Sequence, residues 1–111
     1  MPRNCKVYLE DIREAISRIR LFTERISFGE FEADIKTTDA VVRNLMVIGE
    51  AVKSVPDEIR SAHPEVAWKE FAGLRDILIH RYFGIDQEIL WDIIQTKLPF
   101  LDQQVRELLA E

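Results

Sequence analysis

Thr38-Asp39-Ala40-Val41-Val42-Arg43-Asn44-Leu45-Met46-Val47-Ile48-Gly49-Glu50-Ala51-Val52-Lys53-Ser54 is the stretch that decides the fold. Its apolar residues recur too densely for a helix with one wet side. A stripe of that width predicts a helix buried on more than one side, at the middle of an all-α arrangement. Thr37 or Thr38 can cap its start, with Asp39 well placed for the positive end of the helix. Gly49 within a helix costs about 1 kcal/mol relative to alanine, and close packing against another helix is the usual compensation. Arg43, Asn44 and Glu50 are polar on this crowded helix. They fit either structural groups at the surface, or in pairs, or residues that orient Arg75 or His80 from a neighbouring helix.

Outward from this stretch the chain keeps helical periodicity. Toward the N-terminus, residues 5–26 read as one amphipathic helix. Leu9, Ile12, Ala15, Ile16, Ile19, Phe22 and Ile26 recur at three- and four-residue steps. Arg13, Glu14, Arg18, Glu24 and Arg25 are expected to form its solvated face. Ser27 and Glu30 have the spacing of a capping box. A short helix near Phe28–Ala33 is expected after it, with Phe31 filling the core. Toward the C-terminus, Pro56 can start a short helix through Arg60, and His63-Pro64 signals a turn. Trp68 and Phe71 open a further helix whose apolar side continues through Leu74, Ile77 and Leu78. Asp86 is a suitable cap for the last helix, which presents Ile89, Leu90, Ile93, Ile94 and Leu98. Pro99 lacks an amide hydrogen and crowds the carbonyl of Gln95, so a kink or break is expected there. Phe100, Leu101, Val105, Leu108 and Leu109 can carry the helix onward.

The resulting expectation is an all-α, up-and-down four-helix bundle with additional short helices. With 111 residues the chain suits a single domain over 1–111. Hydrophobic residues make up 47%, and there are only 4 Gly and 4 Pro, which argues against disorder and for long helices. Cys5 is the single cysteine, so no intrachain disulfide can form, which fits a reducing compartment. Met1–Lys6 lacks an apolar signal region, and no run of about 18 apolar residues occurs. A cytoplasmic chain without a membrane partner is therefore expected. The formal charge of -5 argues against sequence-independent coating of nucleic acid, which needs a broad basic face. It leaves room for a local basic pocket and for a basic protein partner.

The chemistry gathers in Arg75-Asp76-Ile77-Leu78-Ile79-His80-Arg81-Tyr82. An arginine fork grips phosphate oxygens. A histidine carries a proton near neutral pH, and a tyrosine hydroxyl can bind phosphate or be modified. The structural alternative is a helix C-terminus where a cation and an imidazole meet the negative end of the helix dipole. At about 100° per residue, Asp76 and His80 lie about 40° apart, and Arg75 and His80 about 140° apart. Helical geometry alone therefore does not bring the motif onto one face. Gly84 is a plausible terminator, placing Tyr82 on a last, distortable turn. Cys5, His63 and His80 are isolated, with no ligand pair at finger or HExxH spacing, so neither a metal nor another cofactor is expected. His63 reads as structural or exposed.

Ala72-Gly73-Leu74-Arg75-Asp76-Ile77-Leu78-Ile79-His80-Arg81-Tyr82-Phe83-Gly84-Ile85-Asp86 resembles the signature of HepT-like toxins in the HEPN superfamily. Tyr8–Ile12, Thr38–Leu45, Ile48–Ala51 and His63–Trp68 are similar to other segments of that family, in the same order along the chain. Asp76, often Asn in the family, and Arg81, often acidic, depart from its pattern. Neither departure touches Arg75, His80 or Tyr82. The resemblance implies a HEPN bundle that forms a homodimer with a composite RxxxxHxY site between subunits. It implies a metal-independent endoribonuclease, the toxin of a type VII pair. Arg75 and His80 would be catalytic, with Asp76 and Tyr82 supporting. It also implies a cognate MntA-like nucleotidyltransferase antitoxin that attaches AMP to Tyr82. RNA, as tRNA or mRNA, would be the substrate, and DNA is not expected. Two other readings fit the residues: a non-catalytic helical dimer that binds a nucleotidyltransferase, and a purely structural helical domain. RNA cleavage separates the first reading from both. A stable complex with the product of a neighbouring gene separates the other two.

Overall fold

A computed structural model describes residues 3–80, 84 and 86–111, apart from the side chains of Arg3 and His80. It is an all-α up-and-down bundle with additional short helices. In chain order the helices are α1 (Arg3–Thr23), α2 (Phe28–Ala33), α3 (Ile35–Ser54), α4 (Asp57–Ala62), α5 (Trp68–His80), α6 (Gln87–Asp92) and α7 (Leu98–Leu109). A π-helical segment, Ile93–Lys97, joins α6 to α7 without a break. No strand occurs among the described residues, and none of their helices is long and apolar enough to cross a membrane.

The dense stripe of α3 is explained by its place. It packs against α1 on one side and α5 on another, with α2 across it, while α7 closes on α1. Val41, Val42, Leu45, Ile48, Ala51 and Val52 are all buried. Leu9, Ile12, Ile16 and Ile19 of α1 meet them in the core, together with Leu98, Leu101, Val105 and Leu108 of the C-terminal helix. Phe31 is fully buried, its ring 5.2 Å from that of Trp91 between centroids. The capping box is present in both directions: the Ser27 hydroxyl accepts from the Glu30 amide, and the Glu30 carboxylate accepts from the Ser27 amide.

Several expectations are corrected. The cap of α3 is Asp34, not Thr37 or Thr38. One Asp34 oxygen accepts from the amides of Lys36 and Thr37, and the other from the Thr37 hydroxyl. A carboxylate next to three donors outcompetes a lone hydroxyl, and the Thr37 hydroxyl leads in holding the Asp34 carboxyl below its ordinary pKa. This contribution is present above the usual carboxylate range and is lost as pH falls through the lowered value. Helix α1 stops at Thr23 rather than near residue 26, and the buried Thr23 hydroxyl donates to the Ile19 carbonyl. Phe22 is thereby left 38% exposed instead of joining the core. Ile77, Ile89 and Phe100 also face solvent. Arg13 is not merely solvated: its Nε lies 3.6 Å from Asp102, a nearly buried carboxylate that also pairs with Arg106.

The helix does not break at Pro99. A wider turn absorbs the missing donor, with the Leu98 amide reaching back five residues to the Ile93 carbonyl. Such π turns relieve local conflict in an otherwise α-helical run.

Phe31→Ala should reduce stability by about 3–5 kcal/mol, the usual loss for a large aromatic core side chain. Urea unfolding followed by circular dichroism measures it. A loss under about 1 kcal/mol would show that Phe31 does not fill the core.

Candidate active site

The site begins with a missing side chain. A Cβ at Gly49 would lie 2.9 Å from the Arg75 Cβ, 3.1 Å from the Phe71 carbonyl oxygen and 3.3 Å from the Arg75 nitrogen. Two of those three atoms are backbone, so no side-chain rotation makes room. Glycine therefore sets how closely α5 approaches α3, as expected from its position in a buried helix. The helix-propensity cost is offset by packing at the turn that carries Arg75.

Beside that contact, Glu50 meets the guanidinium. Its Oε2 lies 2.5 Å from Arg75 Nε. Asp76 stands on the other side, with Oδ1 3.6 Å from Nη1 of Arg75 and 3.4 Å from Lys53 Nζ. Two residues of α3, Glu50 and Lys53, thus bracket two residues of α5, Arg75 and Asp76. The four side chains are between about a third and two-thirds exposed. An open groove of about 590 Å³ runs along this side, lined by Asp39, Val42, Arg43, Met46, Val47, Glu50 and Arg75.

The structure sets Glu50 and Asn44 in different hollows, with Arg43 lining both. Glu50 touches Arg75. Arg43 lies seven residues before Glu50, on the same helical face, and shares its groove. Asn44 is buried, donates to the Ala40 carbonyl, and lines a hollow with Asp11, Glu14 and Arg18 of α1. Asn44 is therefore a paired structural group of the α1–α3 contact.

Of the sequence-derived site residues, Arg75 and Asp76 are adjacent and tied to α3. The backbone of α5 is helical through His80, which keeps His80 about 140° around the axis from Arg75. The contacts described for Asp76 are with Lys53 and Arg75. Tyr82, the expected modification site, lies outside the described residues, as does Arg81. His63 is structural: its carbonyl accepts from Trp68 Nε1, and its ring lies 3.4 Å from Glu65 and 3.5 Å from Glu111. Cys5 is buried, and that burial pushes its thiol pKa up, the wrong direction for a nucleophile. Among the described residues no group of three or more His, Cys, Asp or Glu side chains could hold a metal ion.

The sequence offers Glu50 as one of three polar residues of α3 that could orient Arg75 or His80, and the fold shows that Glu50 is the one that meets Arg75. The two residues are 25 positions apart on different helices. Gly49 adds a local signal, since a glycine inside an apolar helix marks where another backbone comes close.

The chain is similar to known proteins along nearly all of its length. A family model described as Ribonuclease HepT-like matches residues 12–108. The chain is 46% identical to a protein of Thermococcus cleftensis named "Probable ribonuclease HepT", over 97% of this chain and 98% of that one. It is 45% identical to a "Putative RNase" of Methanocaldococcus jannaschii, over all of this chain and 93% of the relative. A "Putative RNase" of Caldanaerobacter subterraneus subsp. tengcongensis is 46% identical, over 94% and 93% respectively. No solved structure matches significantly.

Gly49→Ala tests the close approach. The added methyl meets backbone atoms inside contact distance, so α5 must shift. The expected loss is about 1–3 kcal/mol from overpacking, less about 1 kcal/mol of improved helix propensity. Thermal unfolding should show a lower midpoint than wild type. A higher midpoint would mean that α5 moves freely enough to accept the methyl.

Proposed function

The chain belongs to the HepT-like ribonuclease family, and from that premise we propose that it is a toxin-type, metal-independent endoribonuclease whose site is duplicated across a symmetric dimer. The setting of Arg75 supports this most. It is a guanidinium held at an open groove, on a helix that also carries His80.

In the proposed reaction one His80 imidazole takes the proton of a ribose 2′-hydroxyl, and that oxygen bonds to phosphorus. The bond from phosphorus to the 5′-oxygen breaks, and a second imidazole supplies the leaving oxygen with a proton. Arg75 bears the charge that builds on the phosphorane. The products are a 2′,3′-cyclic phosphate and a 5′-hydroxyl. One chain offers a single His80, whereas a two-fold interface brings two copies of each group to one axis. Ile77 and Ile79, 54% and 43% exposed on the same helix, give such an interface apolar surface to cover. Asp76 acts as an orienting residue. The substrate is RNA in the cytoplasm, with tRNA and mRNA as the classes to test.

Restraint of the enzyme is proposed to fall on Tyr82. In an AMP transfer by an MntA-like nucleotidyltransferase, the phenol oxygen bonds to the α-phosphorus of ATP. The phenol loses its proton and pyrophosphate leaves. The added phosphate would compete for Arg75 as RNA does, and its charge would repel an incoming strand at short range.

The purified chain should cut RNA in the presence of a chelator. His80→Ala should lose roughly 10²–10⁴-fold, the usual worth of general acid-base catalysis. Arg75→Lys should fail as well, because a point charge does not replace a bidentate fork. Undiminished cleavage by His80→Ala, or activity that a chelator abolishes and metal restores, would contradict the mechanism. Intact RNA together with a stable nucleotidyltransferase complex would instead favour the non-catalytic binding module.

The dimer and its control are tested separately. Light scattering should give about twice the 13.0 kDa chain mass. Co-expression with the neighbouring nucleotidyltransferase should add one or more AMP units to Tyr82, read by mass spectrometry, with loss of toxicity. A Tyr82→Phe chain that an active antitoxin neutralises equally well would assign restraint to binding alone.

A further inference from the structure

Resting on the reading of Arg75 as the phosphate-gripping cation, we propose that Glu50 is a positioning residue that fixes the Arg75 guanidinium for the reaction. Arginine carries a long side chain with many rotamers, so a fork that must meet a phosphate edge-on benefits from being held in advance. Glu50 is placed to hold it. Its carboxylate lies 2.5 Å from Nε, whereas the nearer oxygen of Asp76 is 3.6 Å from Nη1 and is shared with Lys53 at 3.4 Å. The grip is also anchored. Glu50 follows Gly49 in α3, and Gly49 is the point where α5 comes close enough for a Cβ to collide with Arg75. The backbones on both sides of the ion pair are therefore set by the same contact.

The choice of nitrogen matters. A carboxylate at Nε engages one of the five guanidinium donors. That leaves the end-on edge, formed by the two terminal nitrogens, for a two-point grip on a phosphate. Asp76, at 3.6 Å from Nη1, is beyond hydrogen-bond distance. Charge makes the same point. Glu50 and Asp76 balance Arg75 and Lys53, so this cluster has no net positive charge with which to attract RNA. Its contribution lies in the geometry of the fork. Glu50 in fact adds a negative charge near the phosphate path, and that should weaken binding of the ground state.

These two effects of Glu50 act on different constants, which gives a test that a purely structural role would not pass. RNA cleavage is measured at saturating and limiting substrate for wild type, Glu50→Ala, Glu50→Gln and His80→Ala, with thermal unfolding of each. Glu50→Ala should lower kcat by about 10–100-fold, the scale of a misplaced catalytic group. Its KM should be unchanged or lower, since a repelling charge is gone. Glu50→Gln keeps an oxygen for Nε and should recover most of the lost kcat while keeping the lower KM. Both variants should melt near wild type, because an exposed ion pair adds little stability. If both variants keep wild-type kcat, or exceed it, while His80→Ala is inactive, the inference falls and the site reading stands. Glu50→Gln no better than Glu50→Ala also overturns it. If wild type leaves RNA intact, or His80→Ala cuts normally, the site reading falls and the inference with it.

Discussion

The close approach of α5 to α3 at Gly49 is the constraint on which the rest of the site depends. Two helices ordinarily pack 8–10 Å apart, at a distance set by the side chains between them. Where one of those side chains is a hydrogen, the backbones can come nearer. Here that happens at the turn carrying Phe71 and Arg75. The consequence is specific. Glu50 and Lys53, which follow Gly49 on α3, are brought alongside Arg75 and Asp76. The polar cluster thus follows from that contact, because α3 buries its apolar faces and in doing so fixes where its few exposed charges meet α5.

Electrostatics narrows how such a site could act on RNA. The chain carries a formal charge of -5, and the cluster around Arg75 is internally balanced. Long-range attraction of a polyanion is therefore not its asset, and at physiological salt such fields fade within about 8 Å. What remains is short-range complementarity. Arg43 shares the groove with Arg75, so the two arginines give one side of the molecule the donors that a phosphate backbone recognises. Under the proposed function, such a site would engage RNA through a few phosphates rather than by coating a strand.

What could be read from the sequence was local. The burial of α3, the capping box at Ser27 and Glu30, the cap at Asp86 and the core position of Phe31 all rest on residues within one or two turns of each other. Gly49 was legible because its cost required a neighbour, although the sequence did not say which. The failures have two physical causes. At helix starts several polar residues compete, and Asp34 outcompeted Thr37 and Thr38 because its carboxylate could serve three donors. At apolar positions, periodicity says which residues share a face but not whether another helix covers it, so Ile77, Ile89 and Phe100 were placed on faces that lie open. The ion pair of Arg75 with Glu50 and that of Arg13 with Asp102 span distant parts of the chain, and only the fold brings them together.

The open residues on α5 follow from its place in the bundle. Among the described residues this helix packs principally on α3, and much of its remaining surface is open. Leu78 turns inward and is 2% exposed, while its neighbours Ile77 and Ile79 point outward. A helix so exposed is a poor place for a site that must enclose its substrate, since one side of the groove is solvent. It is a good place for a site that a second copy completes. The proposed dimer would cover the isoleucines, add the second His80 that general acid-base chemistry requires, and turn the groove beside Arg75 into a cleft between subunits. In that arrangement the fold of one chain supplies the grip on phosphate, through Gly49, Glu50 and Arg75, and the two-fold axis supplies the pairing of proton carriers.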